Sequence, residues 1–376
     1  TEGHMILPVR QGTQLDHFRA FAAMTTDLDL RNLHAELMKL KIFPMLALED
    51  LIRLPSRGLT HDHVLLGDRP WQGKRLLARI PRLVRRDVTP EDALSLQAEC
   101  FRRAGPSRHT PVLHGHLDPS PRLPNGALIV DAVEGRAVDL SKDLLQLAET
   151  LASVHRLPTP DDPAPLAWTP RPVEALVSLI EDQAEFIPAL VQDRQARAIL
   201  DEERQWARAF AAEHGRAPLP PALVLTDTHP GNYVIQKDGR AIFVDMEKTQ
   251  YGSPAIDLAH ASLYTSVTWD PEVSGELSNE DVANFYDTYR TAVPPSLARV
   301  LEPWFLPFRR LTWLRTTSWG CRWYAENESQ VSRGGDQSQR DRMLSGVLDR
   351  LRRMVRPEIM ERVRREWHGP DKLVLD

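Results

Sequence analysis

The stretch from Leu223 to Glu247 constrains this chain more than any other. An apolar run, Leu223-Val224-Leu225, reaches the polar loop Thr226-Asp227-Thr228-His229-Pro230-Gly231-Asn232, and two more apolar runs flank Asp238-Gly239. That order reads as strand, loop and hairpin. Asp-Gly between apolar runs predicts a two-residue turn, because Gly accepts the positive φ that such turns need. This register pairs Lys237 with Arg240, Ile235 with Ile242 and Asn232 with Asp245. The open end of the hairpin then carries an amide oxygen beside a carboxylate, with Asp227 just upstream. Magnesium keeps water and takes phosphate oxygens, so Asn232 and Asp245 suffice to hold it with a nucleotide. Asp227 is left as a base able to accept the proton of a hydroxyl placed in line with a γ-phosphate.

A chain of 376 residues exceeds the usual size of one core, so two lobes are expected. Its 47 basic and 52 acidic side chains give a net charge of −5 and form no long basic block, which excludes nucleic acid as the expected partner. Cys100 and Cys321 are too few for a disulfide framework or a paired-cysteine zinc site; a cytoplasmic location is expected. No apolar run approaches the ~18 residues needed to span a bilayer, so no membrane role is expected. Residues 1–4 lack a signal-like flank and read as a cloning remnant.

Apolar spacing predicts an N-terminal helical extension over 5–51, from Phe18, Phe21, Leu30, Leu33, Leu37 and Leu40. A hairpin follows at 64–80, then a helix opened by Thr89-Pro90-Glu91-Asp92 and closed at Gly105-Pro106, and a buried strand at 127–133. The lobe boundary is placed there, with an N-terminal nucleotide-binding lobe at 52–133. Helical periodicity dominates the catalytic and substrate-binding lobe at 134–376, notably at 144–154, 173–214 and 281–365.

These residues resemble the aminoglycoside phosphotransferase and choline kinase family, relatives of the protein kinases. The family loop commonly reads His-Gly-Asp-x-His-x-x-Asn; Asp227, His229 and Asn232 match it, and Asp245 matches the metal-binding Asp, while Leu225-Thr226 stand in place of His-Gly. The resemblance covers about 52–325. It implies an α+β, bilobal protein-kinase-like fold with a small β-rich N-terminal lobe and a larger, mainly helical C-terminal lobe. It also implies Mg2+ and ATP or GTP as co-substrate. By the same resemblance Arg79 falls where kinases carry the cation for the α and β phosphates, with Lys74 as rival, and Glu99 where that cation's ion-pair partner lies. Gly58 and Thr60 fall in the phosphate-covering loop, and Asp131 to Glu134 at the hinge for the base. Glu247 reads equally as a metal assistant or as the partner of a nearby cation, His229 as a loop brace, and Asp257 as architectural.

Between Trp269 and Trp323 the chain is rich in aromatics and carries Asp270, Glu272, Glu280 and Asp281. In the family this region forms the acceptor pocket, and such residues suit amino-bearing acceptors, whether aminoglycoside, amino sugar or choline-like. Aromatics at helical spacing, such as Trp313, Trp319 and Trp323, read as core. The implied activity is transfer of a γ-phosphoryl group to an alcohol. The alternative is a nucleotide-binding module without turnover, suggested by Leu225-Thr226 and a phosphate loop with one Gly. The sequence leaves the oligomeric state open.

Overall fold

Apolar side chains run together over Val64–Leu66 and, interrupted only by Arg79, over Leu76–Pro81, and the strands His61–Leu66 and Leu76–Pro81 contain them. The structure, a computed structural model, describes residues 28–40, 43, 45–55, 60–67, 73–84, 87–273, 275–330 and 339–375. The strands β1 (Leu51–Arg53), β2 (His61–Leu66), β3 (Leu76–Pro81), β4 (Leu113–Leu117) and β5 (Ala127–Asp131) form one antiparallel sheet in the order β1-β2-β3-β5-β4. The sequence foresaw β2, β3 and β5; β1, with three residues, is too short to stand out, and β4, Leu-His-Gly-His-Leu, lacks an apolar run. One sheet face packs on the helix Leu30–Leu37, whose Leu33 and Leu37 are buried against Val64, Ala78 and Ile129. Of the expected N-terminal extension, residues up to 27 lie outside the described residues.

The helix Pro90–Ala104 forms as the sequence predicts: Thr89 Oγ1 accepts from the Asp92 amide, Pro90 takes the first position, and Glu91 and Asp92 face the helix dipole. Beyond β5 the chain is mainly helical. The helices Leu140–His155, Pro172–Gln183, Arg194–His214, Ala255–Ser262, Asn279–Ala292 and Phe305–Asn327 bury a second, larger core. Set into it are two small antiparallel pairs: β6 (Ala222–Val224) with β9 (Gln250–Gly252), and β7 (Tyr233–Ile235) with β8 (Ala241–Phe243). Among the described residues no helix is long and apolar enough to cross a membrane.

Glu203 ties three helices together. It is fully buried, accepts from Arg310 Nε at 2.5 Å and Arg364 Nε at 2.9 Å, and meets His368 Nε2 at 3.2 Å. Burial alone would raise its pKa, but Arg310 and then Arg364 and His368 outweigh it, and the carboxyl is held below its usual range. Its stabilisation is therefore complete above the usual glutamate pKa and is lost as pH falls through the depressed value. Glu203→Gln leaves the desolvated Arg310 guanidinium without its counter-charge, while Arg364 keeps Glu202 at 2.7 Å and Glu361 at 3.3 Å, and is expected to cost about 3 kcal/mol, read by urea denaturation at neutral pH. A loss no larger than that of an exposed Glu→Gln control would show the network to be dispensable.

Candidate active site

Strand β6 delivers the chain into the loop 225–232. Thr226 there has φ +64°, a left-handed conformation unusual for a β-branched residue. Surrounding bonds impose it. Asp257, buried on the helix Ala255–Ser262, accepts from the amides of Leu225 at 2.6 Å and Thr226 at 2.8 Å, and its own carbonyl accepts from Thr228 Oγ1 at 2.7 Å. Thr226 Oγ1 donates to the Lys248 carbonyl at 2.9 Å. His155 Nε2 lies 3.1 Å from Asp257, so the clamp is anchored in the core. Asp257 is architectural, as the sequence suggests. Thr226→Gly would relieve ~1–2 kcal/mol of left-handed strain but forfeit a hydrogen bond and chain stiffness of similar combined size. Its stability is expected to stay within about 1 kcal/mol of wild type, whereas Thr226→Val keeps the strain, loses the bond and falls by ~1–2 kcal/mol; denaturation midpoints distinguish the two.

Further along, His229 Nδ1 accepts from the Gly231 amide at 3.2 Å and so braces the loop. A Cβ on Gly231 would stand 2.4 Å from Asp270 Oδ2, so any larger residue would force the Asp270 side chain to shift. Asn232 Nδ2 donates to the Asp227 carbonyl at 2.8 Å, which leaves Oδ1 as its outward acceptor. Lys248 Nζ donates to Asp227 Oδ2 at 2.5 Å. Burial would raise the pKa of Asp227, yet Lys248, followed by His229 and His260, holds it far below the carboxylate range. Burial also lowers the pKa of both rings, that of His260 to about 3.

The hairpin differs from expectation by one residue. Tyr233 pairs with Phe243, Val234 with Ile242 and Ile235 with Ala241, and the Val244 amide donates to the Asn232 carbonyl at 2.9 Å. Asn232 thus faces Val244, and Asp245 lies one residue beyond. The cause is the turn: the Gly239 amide bonds to the Gln236 carbonyl and Gly239 has φ +87°, so Lys237-Asp238-Gly239 form a three-residue loop ending in a left-handed Gly.

Arg79 on β3 crosses to this hairpin. Its Nη2 donates to Asp245 Oδ1 at 2.7 Å and stands 3.6 Å from Glu247 Oε2. The predicted Arg79–Glu99 pair is not formed. Glu99 instead accepts from Arg103 at 2.6 Å and Arg102 at 2.9 Å, its neighbours one turn along the same helix. Lys74, the rival cation, pairs with Asp131 at 2.9 Å on an exposed edge. Thr60 Oγ1 lies 2.9 Å from His61 Nδ1 at the start of β2. Gly58 lies between β1 and β2 but outside the described residues. Asp131 closes β5, where a hinge segment would begin.

Asp245 and Glu247 crowd each other. Burial first and Asp245 second push the Glu247 carboxyl up to about 7, against the pull of Arg79 and Lys248. Among the described residues no three His, Cys, Asp or Glu side chains form a metal cage, and magnesium needs none. Two adjoining carboxylates, already drawing in the Arg79 guanidinium, and the outward Asn232 Oδ1 are a hard oxygen set that fits magnesium.

Beside Asp227 opens a cavity of about 110 Å³ lined by Gln183, Gln250, His260, Thr265, Ser266, Trp269, Arg315 and Trp319 among others. Sequence reasoning missed Lys248, His260, Gln250 and Arg315. Of the aromatic run, Trp313, Tyr286, Phe305 and Trp323 are core, while Trp269 and Trp319 reach the cavity. Of the acids, Glu280 and Asp281 open the helix Asn279–Ala292 under a Ser278 cap, away from the cavity, whereas Asp270 bonds the Glu272 amide and packs against Gly231 of the loop without lining the cavity.

The family model of the phosphotransferase enzyme family, APH, matches residues 51–293, and the chain belongs to that family. No curated protein matches it. Solved structures similar to it include the choline kinase of Cryptosporidium parvum (12% identity, 88% of this chain and 98% of that chain, TM-score 0.56). The ethanolamine kinase of Plasmodium vivax is similar too (13%, 91% and 93%, 0.56), as is an APH(2″) enzyme in complex with GDP and kanamycin (16%, 89% and 100%, 0.53). At such identities the likeness shows the fold: bilobal and protein-kinase-like, with a small β-rich N-terminal lobe and a larger, mainly helical C-terminal lobe.

Proposed function

We propose that the chain is a small-molecule kinase that moves the γ-phosphoryl group of ATP or GTP to a hydroxyl of a small acceptor. Asn232 Oδ1 and Asp245 would hold magnesium, with Glu247 beside them. Bound there, the ion would neutralise charge on the β and γ phosphates. Arg79 would turn its guanidinium to phosphate oxygens. Asp227, kept ionised by Lys248, is a weak base. A loose phosphoryl transition state asks little more of it than to orient the hydroxyl and take its proton late. Gly58 and Thr60 are proposed to flank the phosphates; Glu99, tied to Arg102 and Arg103, has no such part in this reading.

The observation that carries the proposal is mutual proximity: Asp227, Asp245, Glu247, Lys248 and Arg79 all act electrostatically within one cluster that adjoins a cavity. The structural relatives support it, since one is solved with GDP and an aminoglycoside. An amino-bearing acceptor draws less support, because among the described residues Asp227 is the only carboxylate lining the cavity and Lys248 already meets it. The 2.5 Å Lys248–Asp227 pair is also what a nucleotide-binding module without turnover would retain. Thermal shift with Mg-ATP and Mg-GTP, followed by transfer assays over hydroxylated acceptors, separates the readings. Turnover supports the kinase, binding without turnover the module, and neither binding nor turnover sinks both.

A further inference from the structure

The cavity beside Asp227 is built for hydrogen bonds and holds one guanidinium that no carboxylate contacts among the described residues, Asp227 and Asp257 acting on it only from beyond ion-pair distance. Three charged side chains line it: Asp227, Lys248 and Arg315. Lys248 is met by Asp227, whereas Arg315, on the helix Phe305–Asn327, has no carboxylate within ion-pair distance among the described residues. Its bond is to a neutral acceptor, from Nη2 to the Thr226 carbonyl at 3.3 Å. A desolvated guanidinium left this way is costly unless an oxyanion completes it.

The remaining lining points the same way. Gln250 Oε1, His260 Nδ1, Thr265 Oγ1 and Ser266 Oγ have no hydrogen-bond partner, although their residues are only 3%, 6%, 5% and 3% exposed. Thr316 Oγ1, which also lines the cavity, is unpaired too. Buried polar atoms are ordinarily paired, so five orphans around one cavity mark the places of ligand hydroxyls. A cation is poorly served here. Trp269 is already covered by Arg350, whose guanidinium carbon lies 5.0 Å from the ring centroid, and Trp319 meets it edge-on at 5.9 Å. An aromatic cage for an ammonium group is thus already filled.

We propose that the acceptor is a small polyhydroxylated carboxylate. Its oxyanion is received by Arg315, its hydroxyls by Gln250, His260, Thr265 and Ser266, and one hydroxyl is presented to Asp227. In the transfer that hydroxyl oxygen forms a bond to the γ-phosphorus as the bond to the nucleotide's bridging oxygen breaks. The hydroxyl proton passes to Asp227, and the nucleoside diphosphate leaves. This assignment rests on the kinase reading above.

The test uses the full chain with Mg-ATP and a panel of acids (glycerate, gluconate, glucarate) set against glycerol, glucose and glucosamine, with product identified by mass spectrometry. At least one acid is expected to be the best acceptor. Arg315→Gln should lower its kcat/KM roughly 10- to 100-fold, mainly through KM, lower the values for neutral acceptors far less, by the common loss of the Thr226 bond, and be partly rescued by Arg315→Lys. An equal loss for every acceptor would place Arg315 on the transferred phosphoryl group and overturn the proposal. So would glucosamine outperforming all the acids. Direct calorimetric binding of the same acids to wild type and Arg315→Gln is read alongside, and no acid binding in an Arg315-dependent way also overturns it. Failure of the kinase reading looks different: wild type then shows no Mg-ATP thermal shift and no nucleoside diphosphate with any acceptor.

Discussion

Asp227→Ala is expected to lower kcat by roughly 10³-fold while leaving Mg-ATP affinity within a few-fold of wild type. Its carboxylate stands on the cavity side of the loop, and Asn232 is held by the Asp227 backbone carbonyl rather than by its side chain. Truncation therefore removes the group that receives the acceptor's hydroxyl but not the support of the proposed metal ligand. It also leaves Lys248 without its 2.5 Å partner, so stability should be measured too. Asp227→Asn, which keeps the shape and a hydrogen-bonding oxygen, serves as the control for folding. Single-turnover transfer together with a Mg-ATP thermal shift reads both effects. Retention of activity by the folded Asn variant would remove Asp227 from the mechanism.

Asp245→Ala should act differently, removing nucleotide binding along with turnover. Asp245 supplies one of the two proposed oxygen ligands and also holds Arg79 at 2.7 Å. Without it, Asn232 Oδ1 alone is a neutral and insufficient donor for a strongly hydrated ion. The expected result is loss of the metal-dependent thermal shift and a fall in kcat/KM of at least about 10³-fold. Isothermal titration with ATP, with and without magnesium, checks it. Wild-type Mg-ATP affinity in the variant would move the metal site elsewhere.

Much of the site was legible because its residues lie within one short stretch of chain. Strand, loop and hairpin between Leu223 and Glu247 follow from apolar patterning and an Asp-Gly pair. The register slipped by one because a sequence shows that Gly239 can be left-handed but not whether two or three residues form the loop. Arg79 was found by its strand position, yet its partner was misjudged, since Glu99 has Arg102 and Arg103 at helical spacing and Asp245 comes within reach only when β3 meets the hairpin. Arg315, His260 and Gln250 had no local signal. Their role depends on how the helices Ala255–Ser262 and Phe305–Asn327 pack beside β9, which periodicity does not specify. The aromatic run misled for the same reason: one helix sends Trp313 and Trp323 inward and Trp319 to the cavity.

Asp257 takes the amide protons of Leu225 and Thr226 on a helix with every residue from Ala255 to Ser262 buried. Those two protons can reach solvent deuterium only when that helix lets go. The loop presenting Asp227 should consequently exchange as slowly as the deepest core, holding its shape before any ligand arrives.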